Sequence, residues 1–306
     1  MKIFVTGGAG FIGSHLVDRL VSLKHEVVII DHHKAKKERF INPGARLYKI
    51  AIGDEALEEV FEKEKPDVIF HLAAQISVTA SVADPVNDAQ INILDSVHLL
   101  DLAAKYGVKR FIFASSGGAI YGDHPVRPTP EDLDASPLSP YGVAKQTVEH
   151  YLQHFSEQRG LSSITLRFSN IYGPRQQMVG GYAGVMPIFI SRLLSGEPVT
   201  IFGDGSSTRD YVFVSDAVDA FVAAMNSKVT GIMNISTAKE TSVLELWNAF
   251  KTIHGTDHVM EHAPDRPGEV QRSQLSAKLA QEVLGWKPKT SIDEGLQKTY
   301  DWFKER

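Results

Sequence analysis

The chain has 306 residues, 43% hydrophobic and 23% charged, which is enough for one large or two modest domains with an ample core. A net charge of -5 with no long basic block argues against a nucleic-acid partner, and apolar runs such as Val27-Val28-Ile29-Ile30 fall far short of a membrane span. The lack of cysteine excludes disulfides, thiolate catalysis and zinc–cysteine sites.

The first half alternates short β-branched runs with longer amphipathic stretches. Residues 3–6, 26–31, 46–50, 68–71, 110–114 and 163–168 read as strands, and 11–23, 55–64, 85–106 and 140–159 as helices. This alternation predicts an α/β fold, a Rossmann-type doubly wound parallel sheet with helices on both faces. After Asn170 the rhythm breaks, and Pro174, Gly180-Gly181, Gly184, Pro187, Gly196, Pro198, Gly203 and Gly205 crowd a region that reads as loop lining a site. A strand at 211–214 and a helix at 216–226 are expected to return to the sheet, with further helices at 243–254, 276–284 and 292–304. The expected division is a dinucleotide-binding domain at 1–169 plus returning segments near 211–235. A smaller, discontinuous α/β substrate lobe takes 170–210 and 236–306. Met1 runs almost directly into a strand, leaving no room for a signal peptide, so a cytoplasmic location is expected. The histidine groupings His32-His33 and His254/His258 lack a carboxylate set and read as surface or loop residues, so no metal site is expected.

Gly7, Gly10 and Gly13 in Thr6-Gly7-Gly8-Ala9-Gly10-Phe11-Ile12-Gly13 stand between a strand and a helix. Gly7 permits a tight turn, Gly10 lets backbone approach a pyrophosphate, and Gly13 allows close helix–sheet packing. Asp31 ends the second strand 18 residues beyond Gly13, where a carboxylate accepts from a ribose 2′-hydroxyl and repels a 2′-phosphate. That favours NAD over NADP, although Lys34, Lys36 and Lys37 follow and Asp31 could instead cap a turn. Asp54 is a candidate for the adenine amino group or for a helix N-cap, and His71-Leu72-Ala73-Ala74 offers small residues where a cofactor crosses the strand ends.

Tyr141 and Lys145 lie four residues apart on one helix face, with Pro140 suited to the first turn. A lysine cation beside a phenol favours the phenolate, and Ser115-Ser116, ending the fifth strand, offers a hydroxyl to share a substrate proton. The set points to proton transfer beside a nicotinamide.

The segments TGGAGFIGSH (6–15), HLAA (71–74), SSGGAIYG (115–122), SPYGVAK (139–145), RFSNIYGPR (167–175), IFGDGSSTRDYVFVSD (201–216) and RPGEV (266–270) run in family order through nearly the whole chain. The sequence resembles the extended short-chain dehydrogenase/reductases, specifically the UDP-galactose 4-epimerase-like nucleotide-sugar enzymes. The resemblance implies a 4-epimerase of UDP-hexoses working through a transient 4-keto sugar with bound NAD, with Ser116, Tyr141 and Lys145 catalytic. It implies cofactor contacts from Gly7, Gly10, Phe11, Ile12, Gly13, Asp31, Asp54, Ala73, Tyr141 and Lys145. Asn170, Arg209, Tyr211, Arg266 and Glu269 would hold the UDP-sugar, and Ser273, a small residue, would face its C2 substituent and admit N-acetyl sugars. This chain reads Ser-Ser-Gly-Gly-Ala-Ile-Tyr-Gly where many epimerases have one residue fewer, so the active hydroxyl is assigned to Ser116 with Ser115 still open.

Related dehydratases and decarboxylases carry acidic residues just after the active hydroxyl, whereas Gly117-Gly118 supply none after Ser116, so the resemblance disfavours those chemistries. A UDP-uronic acid 4-epimerase, drawing on Ser77, Thr79 or Arg175, is the alternative; a non-catalytic binding protein is the remaining one, and retention of both Tyr141 and Lys145 argues against it. The resemblance also implies a homodimer through the helices near 85–106 and 140–159, compatible with Ile91, Leu94, Val97, Leu99, Leu102 and Ala103.

Overall fold

A computed structural model describes residues 1–32, 40–176, 184–264 and 270–306. In chain order the first half contains β1 (Lys2–Thr6), α1 (Phe11–Ser22), β2 (Glu26–Ile30), β3 (Ala45–Tyr48), α2 (Leu57–Glu64) and β4 (Val68–His71). Next come α3 (Val78–Ala83), α4 (Pro85–Ala89), a π-helical turn (Gln90–Leu94), α5 (Asp95–Lys105), β5 (Arg110–Ser116), α6 (Gly117–Ile120), α7 (Pro140–Arg159) and β6 (Ser163–Phe168). The second half adds β7 (Asn170–Tyr172), α8 (Val185–Ser195), β8 (Val199–Phe202), β9 (Thr208–Arg209), β10 (Tyr211–Phe213), α9 (Val214–Asn226) and β11 (Gly231–Ile235). It closes with β12 (Thr241–Ser242), α10 (Val243–His254), β13 (Met260–Ala263), α11 (Lys278–Leu284) and α12 (Ile292–Lys304).

Seven strands form one sheet in the order β11-β6-β5-β4-β1-β2-β3, and every adjacent pair is parallel. Strands buried on both faces need apolar side chains on both, hence the unbroken runs. On one face Leu16, Val17 and Leu20 of α1 meet Ala217 and Phe221 of α9 over the sheet. On the other, Leu57 and Phe61 of α2, Leu99 of α5, and Val148 and Leu152 of α7 close the layer. This is the doubly wound Rossmann sheet expected from the alternation. The chain order reverses between β1 and β4, which opens a crevice at the strands' C-terminal ends.

A third cluster, built on Phe189, Leu193, Leu246, Trp247, Phe250 and Tyr300, joins α8, α10 and α12. The described residues after Asn170 therefore form more regular structure than their glycine and proline content suggested, while Gly180-Gly181 lie outside the described residues. Pro187 is tolerated because it stands in the first turn of α8, where an N–H has no intrahelical acceptor. The strand at 211–213 does not rejoin the main sheet. It pairs with β7, and β11, which the sequence reading did not single out, completes the seven. The predicted 85–106 helix is interrupted by the π-helical turn. Among the described residues no helix is long and apolar enough to cross a membrane.

Candidate active site

The loop after β1 is shaped by close backbone approaches. Gly7 has φ +68, and a Cβ there would lie 2.8 Å from the Ala73 nitrogen. A Cβ on Gly13 would lie 2.2 Å from the Gly7 carbonyl oxygen. Gly10 caps α1 without a side-chain bond, the first turn carries no acid, and Phe11 and Ile12 follow half-buried. Unblocked first-turn N–H groups favour an anion, so this cradle fits a dinucleotide pyrophosphate. Asp31 follows β2 beside it, one carboxylate oxygen accepting the Ala9 N–H at 3.0 Å. Asp54 accepts the Ala56 N–H at 2.9 Å, closing the turn into α2, whose N-cap is Ala56. Lys34, Lys36 and Lys37 lie outside the described residues.

Ala73 is held by a buried chain of hydrogen bonds. Thr6 Oγ1 accepts the N–H groups of Leu72 and Ala73, both at 3.1 Å, and its own proton goes to His71 Nδ1 at 2.8 Å. Ser96 Oγ donates to the Asn92 carbonyl at 2.7 Å, so it must accept from His71 Nε2 at 2.9 Å. The ring is thereby fixed as the neutral Nε2–H tautomer. Burial, with a smaller contribution from the Lys145 charge, pulls its pKa down to about 3. The Asn92 side chain, on the π-helical turn, accepts from Gln75 N and donates to Gln75 O and Asp88.

Tyr141 opens α7, where Ser139 caps the Gly142 N–H and Pro140 fills the first position. Tyr141 is half-buried, and Lys145, one turn on, is buried with Nζ 5.8 Å from the Tyr141 ring centre. Lys145 Nζ donates to the Ala114 carbonyl at 3.0 Å and lies 4.7 Å from the Phe113 ring centre. Burial lowers its pKa to about 8 against the charges of Glu149 and Asp88, which raise it. A Cβ on Gly142 would stand 2.5 Å from the Ala119 carbonyl oxygen, so α6 and the start of α7 meet backbone to backbone. This brings the turn carrying Ser116 against the turn carrying Tyr141.

The two serines separate clearly. Ser115 is buried and donates to Glu149 Oε1 at 2.6 Å, whereas Ser116 is half-exposed at the start of α6 with no capping bond. Glu149 is also gripped by Arg167 (Nε to Oε1 at 3.0 Å, Nη2 to Oε2 at 2.6 Å). Arg167 Nη1 continues to the Tyr121 hydroxyl at 2.7 Å, which donates to Asn234 Oδ1 at 3.0 Å. The sequence reading missed Glu149 and Arg167. The signal for Glu149 was present, since Tyr141, Lys145 and Glu149 form one i, i+4, i+8 stripe.

Asn170 is exposed at the start of β7, and Ser273 is 7% exposed. Both converge on α6: a Cβ on Gly118 would lie 3.6 Å from Asn170 Oδ1 and 3.9 Å from Ser273 Oγ. The Tyr211 ring packs edge-on against Tyr172 at 6.1 Å, and Arg209 Nη1 donates to the Thr208 carbonyl at 2.8 Å. Arg266 and Glu269 lie outside the described residues. Of the residues named for a uronic acid, Arg175 pairs with Asp18 of α1 at 2.8 Å and Ser77 caps α3.

A glycine loop that fits a dinucleotide thus stands at the same C-terminal edge of a parallel sheet as a half-buried tyrosine, a buried lysine and a half-exposed serine. The model of the NAD dependent epimerase/dehydratase family matches residues 3–236. The chain belongs to that family. It is 42% identical over 312 residues to the UDP-glucose 4-epimerase of Mycolicibacterium smegmatis, covering 100% of this chain and 99% of that protein. It resembles the structure of UDP-glucose 4-epimerase with UDP-glucose from Thermotoga maritima (TM-score 0.97, 46% identity, 100% of this chain and 99% of that one). It also resembles UDP-N-acetylglucosamine 4-epimerase from Methanobrevibacter ruminantium with UDP-N-acetylmuramic acid (TM-score 0.94, 34% identity, 99% and 97% covered). NAD is the family's cofactor.

Proposed function

We propose that the protein is a UDP-glucose 4-epimerase-like isomerase interconverting UDP-galactose and UDP-glucose, with the corresponding N-acetylhexosamine pair as further substrates. The observation that supports the reading is that Lys145, close to the Tyr141 ring and bonded to Ala114 of β5, and Ser116 at the end of β5 stand at the same C-terminal edge of the sheet as the glycine loop after β1, whose Gly7 packs against Ala73 after β4. Gly7, Gly10, Phe11, Ile12 and Gly13 hold the pyrophosphate of NAD, Asp31 a ribose, Asp54 the adenine and Ala73 the passage between. The chemistry NAD supplies when bound is reversible hydride acceptance from C4. Tyr141, favoured as phenolate by the Lys145 cation, takes the O4 proton, and Ser116 shares that proton through its hydroxyl. The 4-keto sugar turns, and Tyr141 returns the proton as C4 is reduced on its other face. Asn170, Arg209, Tyr211, Arg266 and Glu269 retain the UDP moiety, so binding energy from the non-reacting nucleotide keeps the ketone in place. Ser273 faces the C2 substituent. Residues 1–169 with 211–235 carry NAD, and 170–210 with 236–306 carry the sugar nucleotide.

The protein acts in the cytoplasm as a homodimer through the faces of α4, the π-helical turn and α7. Val86 (79% exposed), Leu94 (57%) and Val143 (48%) lie on these elements, beside a cleft of about 450 Å³ lined by Pro85, Ile93, Leu138 and Val143. Leu99, Leu102 and Ala103 were assigned to this surface from sequence but are fully packed in the core, so they leave the interface.

The test is to incubate purified protein, without added cofactor, with UDP-galactose, UDP-GalNAc and UDP-galacturonate, and to resolve each C4 epimer by chromatography. Conversion of the first, or of the first two, is expected. Tyr141→Phe should retain NAD yet lose turnover by about 100-fold or more. No conversion of any UDP-hexose, even after NAD is supplied, removes the reading.

A further inference from the structure

Asp210 is 0% exposed and stands between Arg209 and Tyr211, at the junction of β9 and β10. Burying a carboxylate is costly unless donors surround it, and here the donors come from separate stretches of chain. Thr237 gives its backbone N–H to Oδ1 at 2.9 Å and its hydroxyl at 2.7 Å, and the Ala238 N–H goes to Oδ2 at 3.0 Å. Ser169 Oγ reaches Oδ1 at 3.3 Å. Burial pushes the Asp210 pKa up to about 6, against hydrogen bonds from Thr237, the Leu275 backbone and Ala238 that hold it down, so the carboxylate is ionised at neutral pH. Ala238 has φ +55, a left-handed conformation that a residue with a side chain rarely adopts. That turn aims two successive N–H groups at one anion. The strained turn and the buried charge account for each other.

The knot lies where two parts of the molecule join. Ser169 follows β6 and Thr237-Ala238 follow β11, the two neighbouring strands at one edge of the seven-stranded sheet, and the Ser169 N–H donates to the Ile235 carbonyl at 3.0 Å. On the other side, the Asp210 carbonyl accepts the Asn170 N–H at 2.9 Å, and Tyr211 pairs with Asn170 between β10 and β7. The segment around Ser273 is laced to the same place. The Ser273 N–H donates to the Thr208 carbonyl at 3.2 Å, the Ser236 hydroxyl to the Leu275 carbonyl at 2.8 Å, and Gln274 Nε2 to the Ala238 carbonyl at 2.8 Å. Asn170, Arg209, Tyr211 and Ser273 are the described residues proposed to hold the nucleotide sugar, whereas Lys145 is bonded to β5 of the sheet. We infer that Asp210 is a positioning residue for the nucleotide sugar: its carboxylate pins the segments carrying those contacts to the C-terminal ends of β6 and β11, and so sets where the UDP moiety lies relative to Tyr141. This rests on the reading that those residues hold the nucleotide sugar. Asp210 itself, fully buried, acts through Asn170, Arg209 and Tyr211.

The experiment loads the full chain and its variants with NAD and measures NAD retention, the dissociation constant of UDP by calorimetry, and kcat and KM for UDP-galactose. Asp210→Asn keeps the shape but removes the charge and one acceptor. It should retain NAD and raise both the UDP dissociation constant and KM about 10-fold or more, with kcat falling less. Thr237→Val removes the hydroxyl donor and leaves both N–H bonds, and should raise the same two constants about threefold. Thr299→Val is the control for lost stability: it deletes a buried hydrogen bond of 2.6 Å to the Gly295 carbonyl within α12, and should leave UDP affinity unchanged. An unchanged UDP dissociation constant in Asp210→Asn overturns the proposal. So does loss of NAD in the same proportion as loss of UDP, which would make the carboxylate a general support of the fold, and so does a UDP effect in Thr299→Val as large as that in Thr237→Val. If Asp210→Asn does not fold, Thr237→Val decides, and no UDP effect there overturns the proposal. Arg209→Ala separates the pin from the nucleotide reading. UDP binding weakened in Arg209→Ala but intact in Asp210→Asn sinks the pin alone. UDP binding untouched by Arg209→Ala, or absent from the wild type, sinks the nucleotide reading and the pin with it.

Discussion

Replacing Glu149 with alanine tests the buried network behind the C-terminal end of β5. The Glu149 side chain is 3% exposed and that of Arg167 is 6%. The pair is joined by two-pronged hydrogen bonds, and Glu149 also receives the Ser115 hydroxyl. Removing the carboxylate leaves a guanidinium buried with no opposite charge, at a cost of about 3–5 kcal/mol, and the lost Ser115 bond adds about 1 kcal/mol. The total is a large share of the roughly 5–15 kcal/mol that holds a domain together. The comparison is with Glu149→Met/Arg167→Met, which deletes both charges. Replacing a buried pair by apolar groups is often neutral, so the double variant should lose only the Ser115 and Tyr121 bonds, about 2 kcal/mol. Two substitutions should therefore be less harmful than one. Urea unfolding followed by tryptophan fluorescence reads this, since Trp247 and Trp286 are buried; NAD is held at one saturating concentration because bound ligand adds to apparent stability. A Glu149→Ala cost below about 1 kcal/mol, or a double variant weaker than the single, would show that water reaches the pair and refute the argument.

Three further outcomes follow from the site. His71 has its pKa depressed to about 3 in the folded protein from an ordinary 6.5, so the unfolded chain binds a proton that the folded one refuses. Its contribution to stability is complete above about pH 6.5 and is lost as pH falls toward 3. The unfolding free energy of His71→Leu, measured from pH 7 to 4, should fall less steeply than that of the wild type, and parallel curves would contradict the neutral buried ring. Val143→Lys, placing a charge on the exposed face of α7, should shift sedimentation toward monomer while leaving kcat within about threefold, whereas an unchanged dimer would move the interface elsewhere. Asp31→Ser should raise the affinity for NADP relative to NAD, measured by competition with a fluorescent reduced cofactor; an unchanged ratio would mean that the Ala9 bond is the whole role of Asp31.

The parallel sheet was legible because doubly buried strands write themselves as apolar runs, and the cradle because glycine spacing has few other uses beside a strand. Tyr141 and Lys145 were legible as a helix-period pair. What escaped was set by contacts distant in sequence. Glu149 pairs with Arg167 across 18 positions, and Tyr121 reaches Asn234 across 113. Nothing local marks β11 as a sheet strand, since its place is decided by β6. Leu99 and Leu102 look equally suited to a partner chain or to the sheet, and only the packed structure shows that they face inward.

Two buried polar networks stand side by side, and their arrangement suits the reversible proton transfer proposed for Tyr141. One ties the end of β4 through Thr6, His71 and Ser96, which fixes Ala73 against Gly7. The other ties the end of β5 through Ser115, Glu149 and Arg167. Lys145 lies between them, bonded to Ala114, with His71 and Asp88 among the groups that feel its charge. A cation so buried stays charged only if its neighbours do not add positive charge. The neutral histidine meets that condition on one side, and on the other Glu149 offsets both Arg167 and Lys145. Epimerisation needs the same phenol to take a proton and give it back, so the field around it must remain unchanged while the substrate turns. Mobile surface charges would relax between the two half-reactions, whereas groups locked by hydrogen bonds in a packed core do not. The strand ends carry that fixed field, and the residues proposed to contact the sugar lie on β7, β9 and the segment around Ser273, elements separate from the seven-stranded sheet and from α7, which carries Tyr141.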